Sequence, residues 1–415
     1  MTLRQAAFLR LCFPNANERS DYILKEYGVQ RFLSDLKADK LPIFCTAADK
    51  KHIKAASSAA ADKLIAAANE AGQKIVTFTD PDYPKALRQI PCSPILLFYQ
   101  GDLSVLEALS ICIVGSRRVS DYGMLASATL SWQLAKKGVT VVSGFARGCD
   151  AAAHAGCLAA GGKTVAVCGC GLDLPYPEGN EKLRESILKE GLFLSEYPPG
   201  SPAKGSHFPV RNRILAGLCK GVLLTEAADQ SGAIITVNAA AEMGKDVFVI
   251  PNSIFSENAK GGIALMKQGA KPVSCAEDLL EEYQNTSEYA CLQTQEKDTL
   301  PPFGLQQLAS LRDDMNLTKP KSRDVTPRKA KEKKSAASGI KKESKEKPLP
   351  KPEELDVSLL ARRCYSLLGE QPKALPEIAS ELGEETFSLL EAVTELELLG
   401  LITALPGRRY TLPRA

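Results

Sequence analysis

The sequence predicts an α/β protein: a doubly wound, mostly parallel sheet, with a helical segment before it and a small winged helix after it. Three observations carry this. From Ser110 onward, short Val- and Ile-rich runs alternate with glycine turns and helix-length segments, the pattern of strands buried on both faces between crossover helices. Residues 3–72 instead show helix-period apolar spacing with no strand-like alternation. Finally, a basic, proline-rich stretch separates the main region from three helix-like runs and a hairpin-like end.

In order along the chain, Leu3, Ala7 and Leu11, then Tyr22, Leu24, Val29, Phe32 and Leu36, then the Ala-rich run from Ala55 to Ala71, form a helical domain over 1–74. Asp80-Pro81-Asp82-Tyr83-Pro84 is turn chemistry, and Pro94 to Tyr99 reads as a strand entering the main domain, 75–284. Its strands are Ile111 to Val114, Val139 to Ser143, Thr164 to Cys168, Leu192 to Ser195, Val222 to Thr225, Val247 to Ile250 and Pro272 to Ser274. Helices between them include Tyr122 to Lys136, Asp150 to Ala160, Asn180 to Lys189 and Ile234 to Met243. A flexible basic linker spans 285–352. The last domain, 353–415, has helices at Ser358 to Leu368, from Leu375, and at Glu384 to Leu399, then two strands around Pro406-Gly407.

The net charge of +3 over 415 residues conceals an uneven distribution. Lys319 to Pro352 holds thirteen Lys and Arg against four Asp and Glu, so the remainder is acidic. With five prolines and no aromatic residue, that stretch cannot bury enough apolar surface to fold alone, and it attracts polyanions in a salt-dependent way. The N-terminus shows no signal-peptide pattern and no apolar run is long enough to span a bilayer, so a cytoplasmic protein is expected. The twelve cysteines are scattered without the paired spacing of a zinc site. Cys168 and Cys170 form the closest pair, but no third ligand is near. There is no GxxxxGK[ST], and Gly169 to Asp173 does not complete GxGxxG, so neither a P-loop nor a dinucleotide cofactor is supported.

Ligands of doubly wound sheets bind beyond the carboxyl ends of the strands, and the chain has chemistry there. Gly115-Ser116-Arg117 and Ser143-Gly144-Phe145-Ala146-Arg147 are glycine turns before helices, each with an arginine, suited to holding phosphates. Ser231-Gly232 is a third such turn. His207-Phe208-Pro209-Val210-Arg211-Asn212-Arg213 crowds flat rings and guanidinium forks just before an apolar helix, a string that can hold phosphates and stack a base. It also fits a helix start whose arginines pair with nearby carboxylates. Asp150 and His154 share a helix face, but they fit a first-turn acid and a packed histidine better than an acid/base pair acting on Ser143. Trp132 belongs to a core pattern. In the last domain the third helix carries Glu384, Glu385, Glu391, Glu395 and Glu397. That favours a protein contact over duplex reading, with Arg408 and Arg409 on the wing as the opposing signal.

The GSR turn, Ser143 to His154, Gly162 to Val167, Ser195 to Gly200 and the HFPxRNR string together resemble the DNA processing protein A family (DprA or Smf). The resemblance implies an extended Rossmann-like core and an N-terminal SAM-like segment. It also implies a non-catalytic protein without cofactor that binds single-stranded DNA, dimerises, protects incoming DNA and helps load the RecA recombinase in natural transformation. Carried over by position, the DNA pocket would use Gly115, Ser116, Arg117, Ser143, Gly144, Arg147, His207, Phe208, Arg211, Asn212 and Arg213, with Lys204 as the nearest basic residue upstream. Cys149, Asn252 and Ile263 depart from the family pattern of Ile, Gly and Asn.

Two other functions use similar parts. A nucleotide phosphoribohydrolase of the lysine-decarboxylase-like class shares the core type, but its PGGxGTxxE signature is absent and Ser231 to Thr236 is a poor substitute. A winged-helix transcription regulator would need residues 353–415 to read duplex DNA.

Overall fold

In a computed structural model, residues 1–229 and 231–292 are described, with 359–369, 371, 373–384, 389, 392, 393, 396, 401–405 and 409–412. The chain divides into two compact units, Met1–Asp324 and Val325–Ala415.

The first unit begins with helices α1 (Leu3–Cys12), α2 (Glu18–Tyr22), α3 (Val29–Lys37), α4 (Ala47–Ala55) and α5 (Ser58–Glu70). Reciprocal caps fix their starts: Thr2 with Gln5 on α1, and Thr46 with Asp49 on α4. Ala6, Leu9, Phe13, Ile23 and Phe32 form the interior of this helical layer, which is continuous with the core beneath the sheet through Phe145, Cys170 and Leu172.

Nine strands form one sheet: β1 (Lys74–Thr77), β2 (Leu96–Gly101), β3 (Ser110–Val114), β4 (Thr140–Ser143), β5 (Thr164–Cys168), β6 (Leu192–Ser195), β7 (Gly221–Leu224), β8 (Asp246–Val249) and β9 (Lys271–Pro272). Their order is β1-β2-β6-β5-β4-β3-β7-β8-β9. The last seven in that order run parallel; β2 joins β6, and β1 joins β2, antiparallel. Every residue of β3, β4, β5, β6 and β7 is buried, which accounts for their largely apolar sequences, free of charged residues. The strand order reverses between β3 and β7, so the crevice at their carboxyl ends is the topological switch point. A short helix, α6 (Lys85–Arg88), lies between β1 and β2; the crossover helices nearest the switch point are α7 (Asp121–Lys136) after β3, α8 (Cys149–Ala159) after β4, α10 (His207–Leu218) before β7 and α11 (Gly232–Glu242) after it, and α9 (Glu181–Glu190) follows β5. Trp132 lies in the core, 6% exposed.

His154 on α8 is fully buried. The Thr164 hydroxyl donates to the Val141 carbonyl at 2.8 Å, so it accepts from His154 Nδ1 at 2.7 Å; Nε2 has no partner. The ring is therefore neutral, and burial pushes its pKa down to about 3. Because the folded value lies below the ordinary 6.5, this group's contribution is complete above about pH 6.5 and is lost as pH falls. Urea unfolding should show about 1.4 kcal/mol less stability at pH 5.5 than at 7.5 from this group. In His154→Gln that pH-dependent increment should vanish.

The second unit holds a helix at Leu359–Leu367, another at Leu375–Leu382, and strands β10 (Lys373–Ala374), β11 (Thr403–Leu405) and β12 (Arg409–Thr411). The strands form an antiparallel sheet ordered β10-β12-β11. Leu389, Ala392, Val393 and Leu396 are helical and pack with Ala361, Cys364, Tyr365 and Ile378. Glu384 pairs with Arg363 at 2.9 Å. Glu385, Glu391, Glu395, Glu397 and Arg408, the side chain of Arg409, and the Lys-rich stretch lie outside the described residues.

Candidate nucleic-acid interface

The turns after β3 and β4 are joined at their backbones. Cys149 N donates to Ser116 O at 3.2 Å, and Gly148 sits at φ +87 where an added Cβ would lie 2.4 Å from that same oxygen, so only glycine closes this corner. Ser116 N in turn donates to Glu226 O at 2.8 Å. Phe145 adopts φ +57, an unusual backbone for a non-glycine residue. It buries its ring edge-on to Phe193 at 4.9 Å, turning the β4 loop so that Arg147 points outward. Arg117, Arg118 and Arg147 are all exposed. Arg147 also donates from Nε and a terminal nitrogen to Glu178 O at 3.1 and 2.7 Å.

The HFPxRNR string does not precede its helix; it forms the first two turns of α10. The helical period then separates its residues into an outward and an inward set. Phe208 is half-buried. Its ring rests on Gly169, where a Cβ would come within 3.0 Å, with Tyr176 5.7 Å away and the guanidinium carbons of Arg117 and Arg211 at 4.9 and 5.8 Å. His207 stacks on Tyr197, centroids 4.1 Å apart and planes 11° apart, and its Nδ1 donates to Gly169 O at 3.2 Å. Lys204 is exposed beside the helix start.

Arg211, Asn212 and Arg213 are the inward set, each engaged with groups of the protein rather than standing as a row of exposed cations. Arg211 is 4% exposed and donates to Gly144 O at 2.8 Å and to Val167 O. Burial lowers its pKa, and the neighbouring Asp150 charge opposes that shift. Asn212, 6% exposed, accepts from Arg211 Nε at 3.2 Å and donates to Gly232 O at 3.3 Å. Arg213 forms a two-pronged pair with Glu196, both contacts 2.7 Å, so the carboxylate-pairing alternative holds for this residue. Ser143 is likewise fully buried, its hydroxyl donating to Ile113 O at 2.6 Å. Ser231 caps α11 through Ala233 N at 3.3 Å.

The groups a rival chemistry would need are also occupied. Glu226 accepts from Ser120 N and Oγ, both at 2.7 Å, and from Asn258 Nδ2 at 2.9 Å. Asp150 accepts from Ala146 N at 3.2 Å in the first turn of α8. Burial pushes the Cys168 thiol up to about 12 and raises that of Cys170, so both stay protonated. Among the described residues no cluster of three or more His, Cys, Asp and Glu is placed to hold a metal ion. A cavity of about 980 Å³ opens at the other end of the strands, beside Tyr83, Tyr99, Ser110, Lys220 and Lys245. It shares no residue with the interface, and its Lys220 is paired with Glu288 at 2.8 Å.

What the carboxyl edge offers is a half-exposed aromatic ring flanked by arginines and bounded by exposed cations, the chemistry that stacks a base and neutralises a phosphate. Sequence reading missed Tyr176 and Tyr197. Tyr176 lies in Leu174-Pro175-Tyr176-Pro177, and a proline-fixed aromatic just beyond the end of a central strand was the available signal.

An extended Rossmann-like α/β protein with a cationic, aromatic carboxyl edge is thus the class defined by fold and site. The DNA recombination-mediator protein A family pattern matches residues 74–284. Protein Smf of Synechocystis sp. is 37% identical over 345 residues, covering 81% of this chain and 79% of that one. DNA processing protein DprA of Streptococcus pneumoniae is 44% identical over 214 residues, 51% of this chain and 76% of that one. The X-ray structure of the latter protein matches with a TM-score of 0.59 at 34% identity, covering 68% of this chain and 98% of that chain. The chain belongs to the DNA recombination-mediator protein A family.

Proposed function

We propose that this protein is a non-catalytic single-stranded DNA-binding protein of recombination, which protects incoming DNA and helps load a RecA-type recombinase. The observation that carries the reading is Phe208, a half-exposed ring at the carboxyl edge of the sheet with the Arg117 guanidinium 4.9 Å from it. The binding residues are Gly115, Ser116, Arg117, Arg147, Lys204 and Phe208, with Tyr176 as a wall. Ser143, Gly144, His207, Arg211, Asn212 and Arg213 hold these in place. Gly115 belongs to the binding turn because its lack of a side chain lets Cys149 and Thr225 close beneath it. A homodimer in the cytoplasm would place two such sites on one strand and raise avidity. The domain limits are 1–74, 75–284, 285–352 and 353–415, the last a winged helix for protein contact. No described helix is long and apolar enough to cross a membrane.

Fluorescence anisotropy with a labelled single strand and the matching duplex, over a salt series, tests this. Single strand should bind more tightly, and Arg147→Ala and Lys204→Ala should each reduce the salt slope by about 0.7. Equal affinity for both forms, with slopes unchanged in the variants, would assign the binding to the Lys-rich stretch and remove the site.

A further inference from the structure

The loop Pro251–Ser256 follows β8 at the same carboxyl edge of the sheet. It is tied down at both ends. Tyr122 Oη donates to Pro251 O at 2.6 Å. Asn258 Nδ2 donates to Arg118 O at 3.1 Å and to Glu226 Oε1 at 2.9 Å, and Asn258 O accepts from Ala227 N at 2.7 Å. Within the loop, Ser256 N donates to Ser253 O at 2.9 Å and Phe255 N to Ser253 Oγ at 3.3 Å. This turn leaves Phe255 92% and Ile254 75% exposed. Two adjacent large apolar side chains held in water on a pinned loop mark an interaction surface.

We infer that Phe255 is a second base-stacking residue for the strand held at Phe208, an inference that rests on the single-stranded DNA reading above. Phe208 sits over Gly169, just past β5, and Phe255 lies just past β8. With β4, β3 and β7 between them, the two positions are four strand spacings apart, about 19 Å. Arg117 and Arg118 follow β3, between the two, and both are exposed; the Arg117 guanidinium reaches to 4.9 Å from the Phe208 ring, and the Arg118 backbone is tied to Asn258 beside the loop. A polynucleotide crossing the edge would meet ring, cations and ring in turn, the alternation of a single-strand groove. Lys260 beside the loop is paired with Glu257 at 2.8 Å, so the free positive charge belongs to the arginines. The fixed loop requires little ordering on binding. A second copy of this chain is the competing occupant.

The test uses the full chain and a deoxythymidine strand of about 16 nucleotides, with Phe255→Ala, Phe255→Leu and Phe255→Trp. Affinity should fall about tenfold in the Ala and Leu variants and persist in the Trp variant, with the salt slope unchanged throughout. A 5-iododeoxyuridine strand should photocrosslink to the peptides containing Phe208 and Phe255. Wild-type affinity in Phe255→Leu, or a loss that accompanies a fall in molecular mass by sedimentation, would overturn the inference, the latter in favour of a second copy. If Phe208→Ala loses binding and Phe255→Ala does not, only this inference fails. If the wild-type protein does not bind the strand, the underlying function fails with it.

Discussion

Arg211→Ala should lower the unfolding free energy by about 3–5 kcal/mol, the usual cost of breaking a buried charge arrangement by removing one partner. Arg211 is 4% exposed and joins α10 to the ends of β4 and β5 through Gly144 O and Val167 O. Its loss strips both carbonyls of a donor and leaves Asp150, 7% exposed, without the neighbouring cation. Burial raises the Asp150 pKa and Arg211 opposes that rise. In the variant the carboxyl should rise further, and a protonated carboxyl needs no cation, so the deficit should shrink as pH falls. Urea unfolding across pH checks both the size and that trend. The same variant separates positioning from ligation: the folded fraction should keep the wild-type salt slope, because this guanidinium faces carbonyls. A stable variant with a slope reduced by about 0.7 would make Arg211 a phosphate ligand after all.

That contrast shows which parts of the molecule the residues reveal by themselves. The parallel sheet was readable because β3 to β7 are wholly buried and therefore carry no charged residue and are rich in Val, Ile and Leu, with glycine corners between them. β1 was not, since Lys74-Ile75-Val76-Thr77 is a short edge strand with an exposed lysine, directly after an Ala-rich helix. At the interface, Arg117 and Arg147 were legible as members of the glycine turns that follow β3 and β4, and both are exposed. Arg211 and Arg213 were not, because placing the string before the helix rather than in it loses the rotation that turns them inward. The Glu196 that neutralises Arg213 is 17 residues away in sequence. Tyr176 meets Phe208 only through the packing of the β5 loop against α10, a contact without a local pattern.

Phe208→Ala should weaken single-strand binding by about 1–3 kcal/mol without changing the salt slope, as expected for loss of a stacking surface. Arg117→Ala should weaken it too, but with a slope smaller by about 0.7, as expected for one lost phosphate contact. The two effects should not add. The Arg117 guanidinium lies 4.9 Å from the Phe208 ring, close enough for a cation–π contact of about 0.5–1 kcal/mol at an exposed site. Each side chain therefore holds the other in the orientation the strand meets, and the double variant should lose less than the sum of the singles by at least that amount. Anisotropy titrations of the four proteins at two salt concentrations measure all three quantities. Additive losses would mean that ring and guanidinium touch the strand at separate places. A salt slope that falls in Phe208→Ala would mean that the ring does not stack but holds a cation in place, making the aromatic a support and the arginine the whole of the site.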